Sequence, residues 1–458
     1  MPDPACPSFL LRVQVFAGEE ILVEVLLFRA TLPSKKQYMG IVSITALRSG
    51  MELASDILDG NGRKIIGCGT VINEKHLRIL KIWGVTEADV KGVSQEQENI
   101  KDLSQIDSKL VKAARQYLLA RFVFDDVTLR PVKEFLNFLL LRKARDAETR
   151  GYTPEDLLAS MPPTPPKEKT PPHVPPLRLS PAELILEDVK LGSLPVVFHK
   201  LVDVVNDSRS SASDVAEIIS NDPDLAMRVL KVVNSPFYGL SVPIDTVSRA
   251  VAILGSNQLV ALAMGISVVT HFRGISSRHI SMEGFWRHSI AVGIGARLLA
   301  SYHKTPNTER FFVAGLLHDV GRLLMYKHLP GPMHDALDWA DQAGRLLIDA
   351  EKELLGFGHP QLAAALFKEW RLPVSLERNV GCHHNIERSA NPQEASILLT
   401  ADWLAHGMEL GTSGERYMPR YPESAWERLD IPLSSLSEIA KQMHHQADQI
   451  LRFFLSDA

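Results

Sequence analysis

His318 and Asp319 stand side by side in VAGLLHDVGRLLMY, a segment from Val313 to Tyr326 that is otherwise almost wholly apolar. An unpaired ionised carboxylate in such a setting costs on the order of several kcal/mol. Three arrangements would satisfy it. Arg322, three residues on and on the same helix face, could pair with Asp319 while His318 bonds to another helix. A mutually bonded His/Asp cluster would also serve. The third arrangement is a metal ion. Adjacent helical residues point about 100° apart, so both side chains can contact one centre, with Asp319 placed to bridge two ions. Two divalent ions about 3.5–4 Å apart hold a phosphate oxygen and activate water. Neutral imidazoles and carboxylates suit iron, manganese or zinc.

Other chemistries find less support. The chain has no G-x-x-x-x-G-K-[ST] phosphate loop and no GxGxxG. Cys382 is next to His383, but a nucleophile and its base must face each other in space, so a buried thiol is the expected reading. The three cysteines, Cys6, Cys68 and Cys382, show no CxxC spacing and suit a reducing compartment. Net charge is -4 with both signs dispersed and no basic block, which argues against nucleic-acid binding. No apolar run reaches the roughly 18 residues of a spanning helix, and the N-terminus has no basic n-region before Glu19 and Glu20. The expectation is a cytoplasmic chain without membrane contact.

A chain of 458 residues should hold two or three domains. The clearest boundary is MPPTPPKEKTPPHVPP, Met161 to Pro176, whose prolines specify an extended spacer. The organisation expected is a small α/β module with a helical tail over 1–150, a Pro-rich linker over 151–179, and an all-α domain over 180–458. In the first part, FLLRVQV and ILVEVLLF carry strand signals around Gly18-Glu19-Glu20. From Ile44 to Val90 the pattern reads as a strand, a turn at Asp59-Gly60-Asn61-Gly62, a second strand, a helix capped by Asn73, and a short strand. One helical stretch is expected from about Ser104 to Arg145. No catalytic constellation stands out in this half, so a regulatory or docking role is expected of it.

After the spacer nearly every segment has helical period. SPAE opens the domain with Ser180 as N-cap, Pro181 at the first helical position and Glu183 completing a capping box. In DPDLAMRVLKVVN, Asp222 caps, Pro223 starts the helix, and Leu225, Val229, Val232 and Val233 form one face, ended by NSPFYG. SLSEIAKQMHHQADQILRFF reads as an amphipathic C-terminal helix that closes the core, with His444 and His445 facing solvent.

Two resemblances follow from quoted motifs. L-x-x-G-M-x-L-A-x-D, G-x-x-x-x-x-x-G-T-x-I and L-x-x-W-G-V make the stretch from Ile44 to Val90 resemble a small α/β segment found beside HD-type phosphohydrolase and output domains. Residues before Met39 lie outside it, as an extension or an over-called start. Second, Leu194-Pro195, Asp222-Pro223, Asn234-Ser235, Ile244, Arg249-Ala250 and Leu254-Gly255, followed by FWRHS, AGLLHDVGRLL, EKELLGFGHPQLAAALFKEWRLP, CHHN and TADWLAH, resemble an HDOD domain from about Leu184 to Phe454. That family is similar to HD and HD-GYP metal-dependent phosphohydrolases. The likeness implies a mainly α fold around a former or actual metal centre.

The ligand set implied by this resemblance is His288, His318, Asp319, His359, His383, His384 and Asp402, in the order of the HD-GYP pattern, holding one or two ions of Fe, Mn or Zn. Three departures accompany it. No Gly-Tyr-Pro element follows His384, Arg322 stands where those enzymes usually carry lysine, and Gly284 replaces a carboxylate that some members use as a further ligand. The resemblance therefore implies a bacterial-type signalling protein acting on other signalling proteins, gated by metal or a nucleotide second messenger. The alternatives are a metal-dependent phosphohydrolase of a cyclic nucleotide or other phosphoester, with Asp319 central to catalysis, and a structural adaptor. Oligomeric state is left open.

Overall fold

The computed structural model describes residues 39–455, except 44–46, 59–63, 83–86, 92–101, 164–179, 188–194, 208, 236–237, 239, 241, 273–274, 276–279 and 306–307. The strands expected in FLLRVQV and ILVEVLLF, the turn at Asp59–Gly62 and most of the proline-rich spacer lie outside the described residues.

The first described part is a small α/β unit. Strand β1 (Met39–Ser43) pairs antiparallel with β4 (Glu87–Lys91), and β2 (Ile57–Leu58) pairs with β3 (Lys64–Ile66). Between β3 and β4 runs helix α1 (Glu74–Ile82), where Asn73 accepts the amide of His76 at 3.0 Å, the cap expected from sequence. Leu53, Ile57, Ile66, Ile72, Leu80 and Val90 make a separate small core.

The expected single helical stretch is two helices, α2 (Ser108–Arg121) and α3 (Arg130–Arg150). The break has a local cause. Asp126 folds back to accept from the amide and hydroxyl of Thr128, and Pro131 sits in the first turn of α3. Within the span expected as linker, α4 (Pro154–Ala159) is a short helix closed by a Thr153–Asp156 capping box.

From Ser180 onward every described regular element is helical. These are α5 (Pro181–Glu187), α6 (Val196–Asn206), α7 (Ala212–Ser220), α8 (Pro223–Val233) and α9 (Val247–Leu254). There follow α10 (Ser256–His271), α11 (Met282–Tyr302), α12 (Glu309–Leu317), α13 (Val320–His328) and α14 (Pro330–Ala343). The last six are α15 (Leu347–Leu355), α16 (His359–Glu369), α17 (Val374–Gly381), α18 (Pro392–Gly407), α19 (Glu423–Leu429) and α20 (Ser435–Leu455). The Ser180–Glu183 capping box forms reciprocally, and Asp222 caps α8 through the amide of Leu225. Asn234 ends α8 by bonding both backbone groups of Ile244, which ties the following loop to the helix.

One core runs through this half, and α11 is its axis, packed against α12, α18 and α20. The α11–α12 crossing is close because Gly293 and Gly315 meet there, and a Cβ on either would enter the other helix's backbone or Phe312. Helix α20 buries Leu436, Ile439, Met443, Ala447 and Ile450, closing the core as expected, and leaves His445 exposed and His444 half-buried. Leu118, Phe122, Val132, Phe135 and Leu139 of α2–α3 belong to the same core as the C-terminal helices. No helix among the described residues is long and apolar enough to cross a membrane.

A candidate metal centre between six helices

His318 and Asp319 do not lie inside one helix, as the sequence pattern suggested. Helix α12 ends at Leu317 and α13 begins at Val320, with Asp319 at φ -100°, ψ 12° between them. The break lets each residue serve two purposes. The ring of His318 turns back so that Nδ1 donates to the carbonyl of Gly315 at 2.7 Å, and Asp319 heads the new helix. Gly321 then allows α13 to lie against the start of α16, since a Cβ there would collide with the carbonyl of His359.

All seven residues of the expected ligand set meet in one place. His288 comes from α11, His318 and Asp319 from the α12–α13 break, and His359 from the first position of α16. His383 and His384 come from the turn after α17, and Asp402 from α18. His288, His318, His359, His383, Asp319 and Asp402 are buried and His384 is half-buried. His288 Nε2 is 3.1 Å from Asp402 Oδ1, and His318 Nε2 is 3.3 Å from Asp319 Oδ2 and 3.5 Å from Asp402 Oδ1. His359 Nε2 is 3.0 Å from Asp319 Oδ1. The donors fall into overlapping triads whose ligand atoms lie within 4.8 Å of one another: His359/His383/His384, His288/His318/Asp319, His318/His383/Asp402 and His288/Asp402/His406.

Two members were missed in the sequence. His406, one turn after Asp402 on α18, places Nε2 3.3 Å from Asp402 Oδ1. Glu351 on α15 accepts both the amide and Nδ1 of His359, at 2.9 and 2.7 Å. The signal for His406 was present as the i, i+4 pair in DWLAH. Glu351 sits among Asp349, Lys352 and Glu353, and nothing local marks it as the charge that faces inward.

Hydrogen bonding fixes how three of the rings present themselves. Nδ1 of His318, His383 and His359 faces the Gly315 carbonyl, the Val380 carbonyl and the Glu351 carboxylate, at 2.7, 2.6 and 2.7 Å. Each partner accepts only, so each Nδ1 carries a proton and each Nε2 points inward, the way histidine is held at metal sites. Nε2 of His359 and of His383 lie 3.3 Å apart. Two lone pairs at that distance repel unless a cation, a proton or a metal ion, lies on the shared side. Asp319 Oδ1, His318 Nε2, His288 Nδ1 and His384 Nε2 are buried atoms without a hydrogen-bond partner of good geometry. The donor set therefore fits a borderline divalent ion such as Zn, Fe or Mn.

Charge around the cluster is balanced by position. Arg322 is buried and forks between Glu351 (2.8 Å), Asp319 (3.1 Å) and Ser413 (2.6 Å). So the pairing expected of Arg322 with Asp319 and the His/Asp cluster coexist. Burial opposes ionisation of Glu351, but His359 and Arg322 beside it hold its carboxyl down to about 2. Burial likewise opposes charge on Asp319 and Asp402, yet their cationic neighbours keep both well below the usual carboxylate range. Burial disfavours protonated His318 too, but Asp319 and Asp402 raise it to about 10, whereas burial takes His288 down to about 4 and His383 to about 3. Cys382 is half-buried rather than buried as expected, and the burial that it has pushes its thiol up.

This geometry, histidines and aspartates gathered from separate helices of a mainly α domain, is that of an HD-like protein. Residues 191–386 match the HDOD domain model, so the chain carries an HDOD domain there. It is similar to an HDOD domain protein of unknown function from Geobacter sulfurreducens, with 22% identity and a TM-score of 0.53 over 60% of this chain and 98% of that one. It is also similar to a Marinobacter aquaeolei VT8 protein named for signal transduction, with 20% identity and a TM-score of 0.51 over 62% and 64% of the two chains. An uncharacterized Treponema pallidum (strain Nichols) protein is 22% identical over 242 residues, 51% of this chain. The match spans 46% of that relative, less than half of its length. The two structural likenesses establish the fold.

Proposed function

We propose that this chain is a bacterial-type signalling protein that acts through protein contacts of its HDOD domain, with the buried centre holding divalent metal as a structural and gating element. The observation that carries this reading is burial. His288, His318, His359 and His383 are 0% exposed, Asp319 1% and Asp402 2%, so these six offer a phosphoester almost no surface in this conformation, and of the seven only His384 is half-buried. Val196 (72% exposed) on α6, Met227 (39%) on α8, Val242 (57%) before α9 and Ile253 (50%) on α9 offer apolar side chains for partner contact on the N-terminal helices of the domain. The name of the Marinobacter structure supports the same reading.

When bound, the metal supplies positive charge to a carboxylate-rich interior and Lewis acidity to any oxygen that reaches it. The chain's own residues orient the donors: Gly315, Val380 and Glu351 fix three rings, and Arg322 fixes Asp319. A phosphohydrolase of cyclic nucleotides or other phosphoesters is the second reading, favoured by the convergence of the whole expected donor set. Both are tested on one anaerobically purified sample by elemental analysis and a phosphodiesterase screen. The signalling reading expects metal without turnover, and expects Asp319→Ala to lose the metal. Turnover that depends on Asp319 would transfer the centre to the hydrolase reading.

A further inference from the structure

His288, Asp402 and His406 form a donor triad that the expected pattern does not contain. His406 Nε2 is 3.3 Å and His288 Nε2 3.1 Å from the same oxygen, Asp402 Oδ1, and the two rings lie 4.4 Å apart between centroids. Metal–ligand bonds of about 2.0–2.1 Å in a tetrahedral site put neighbouring donor atoms roughly 3.3 Å apart, so both histidine nitrogens already stand at ligand spacing from the carboxylate oxygen, and all three donor atoms lie within 4.8 Å of one another. The triad is dry, with His288 0%, Asp402 2% and His406 3% exposed. It shares no residue with the His359/His383/His384 group at the opposite side of the cluster. His406 is also held from behind, because the Arg121 guanidinium of α2 donates to its carbonyl at 2.8 Å. Gly284, one turn before His288, brings no donor of its own to this side.

We infer that His406 is a metal ligand, completing with His288 and Asp402 a two-histidine, one-carboxylate site for a divalent first-row ion. This rests on the metal reading above and adds to it a ligand that the sequence pattern leaves out. Two imidazoles and one carboxylate suit Fe(II), Zn or Mn and leave positions open on the ion. The competing role for His406 is a hydrogen-bond donor to Asp402 and nothing more. His406→Gln separates the two, since its amide can still donate to Asp402 but is a poor substitute for an imidazole ligand.

The test uses full-length protein stripped with chelator and titrated with Co(II) and with Zn(II) by equilibrium dialysis, with near-UV circular dichroism as the check on folding. The wild type should bind metal, and both His406→Ala and His406→Gln should weaken the ion they share by at least the 10–100-fold that outer-shell changes cost. Co(II) absorption should lose intensity or shift in both. If His406→Gln matches wild type in affinity and spectrum, His406 is only a hydrogen-bond partner and the inference is overturned while the metal reading stands. If wild type binds neither ion, both fall together.

Discussion

At the scale of single residues, the interior is organised by Arg322. It bonds Asp319 and Glu351 at once, and it is 1% exposed. Removing one partner of a buried ionic group leaves the others uncompensated, at about 3–5 kcal/mol. Arg322→Met is therefore expected to lower unfolding stability by about that much in urea titrations run with chelator present. A loss below about 1 kcal/mol would mean that the carboxylates are neutralised elsewhere. Glu351 is read out differently. Glu351→Gln keeps the shape but weakens the anchor on His359 Nδ1, and metal affinity measured by dialysis should fall about 10–100-fold. His318–Asp319 and the paired histidines were legible because charged groups inside apolar runs need partners. Glu351 and His406 were not, since their surroundings in sequence resemble ordinary helix surface.

At the scale of elements, α2 and α3 form the back wall of α18, the helix that carries Asp402 and His406. Phe135 packs on Trp403 at 4.6 Å between centroids and lies against Gly407, where a Cβ would meet its ring. Arg121 and Lys143 both pair with Glu409, at 3.2 and 2.8 Å, and Arg142 donates to the carbonyl of Met408. Phe135→Ala should cost about 3–5 kcal/mol, read as one cooperative transition followed by tryptophan fluorescence. An early, separate transition would show instead that the two helices unfold alone. Asp125, after α2, accepts from Trp403 Nε1 at 3.1 Å and from the amide of Tyr421 at 2.7 Å. Burial raises its carboxyl to about 7 against the opposing pull of those bonds and of Arg420. A raised folded-state value means stability that is full below the unfolded value near 4 and is lost as pH climbs through 7. Wild type should thus lose melting temperature relative to Asp125→Asn between pH 4 and 7. A difference that is flat across that window would contradict the burial argument.

At the scale of the whole molecule, residues Met39–Ala458 form one compact unit, within which the α/β segment keeps its own core. The helices around Ser108–Arg150 read from sequence as a tail of the first half, yet they share the C-terminal core. No local pattern could reveal this, because Arg121 and Glu409 are 288 positions apart and only tertiary packing joins them. The α-helical character of the second half was legible from period, caps and breakers, and the seven-residue cluster from its family pattern. The seat of α2–α3 was not. A chain beginning at Asp102 should accordingly melt as a single unit, and one beginning at Ser180 should melt lower and bind a hydrophobic dye, having uncovered Trp403 and Gly407. Equal melting temperatures for the two would show that the seat contributes nothing to stability.

Gly284 and Gly411 constrain each other across the start of α11. The Gly284 carbonyl accepts the amide of Thr412 at 3.0 Å, and Gly411, at φ +77°, is pressed against that carbonyl so closely that no side chain fits. A Cβ on Gly284 itself would lie 2.9 Å from Ser281 Oγ, the hydroxyl that starts α11 by accepting the amide of Gly284. An acidic side chain at Gly284 would meet only the tip of Ser281, in the S-x-x-E arrangement that closes a helix start. The intolerant position is Gly411, where any side chain would press on the Gly284 carbonyl and push away the loop that it anchors.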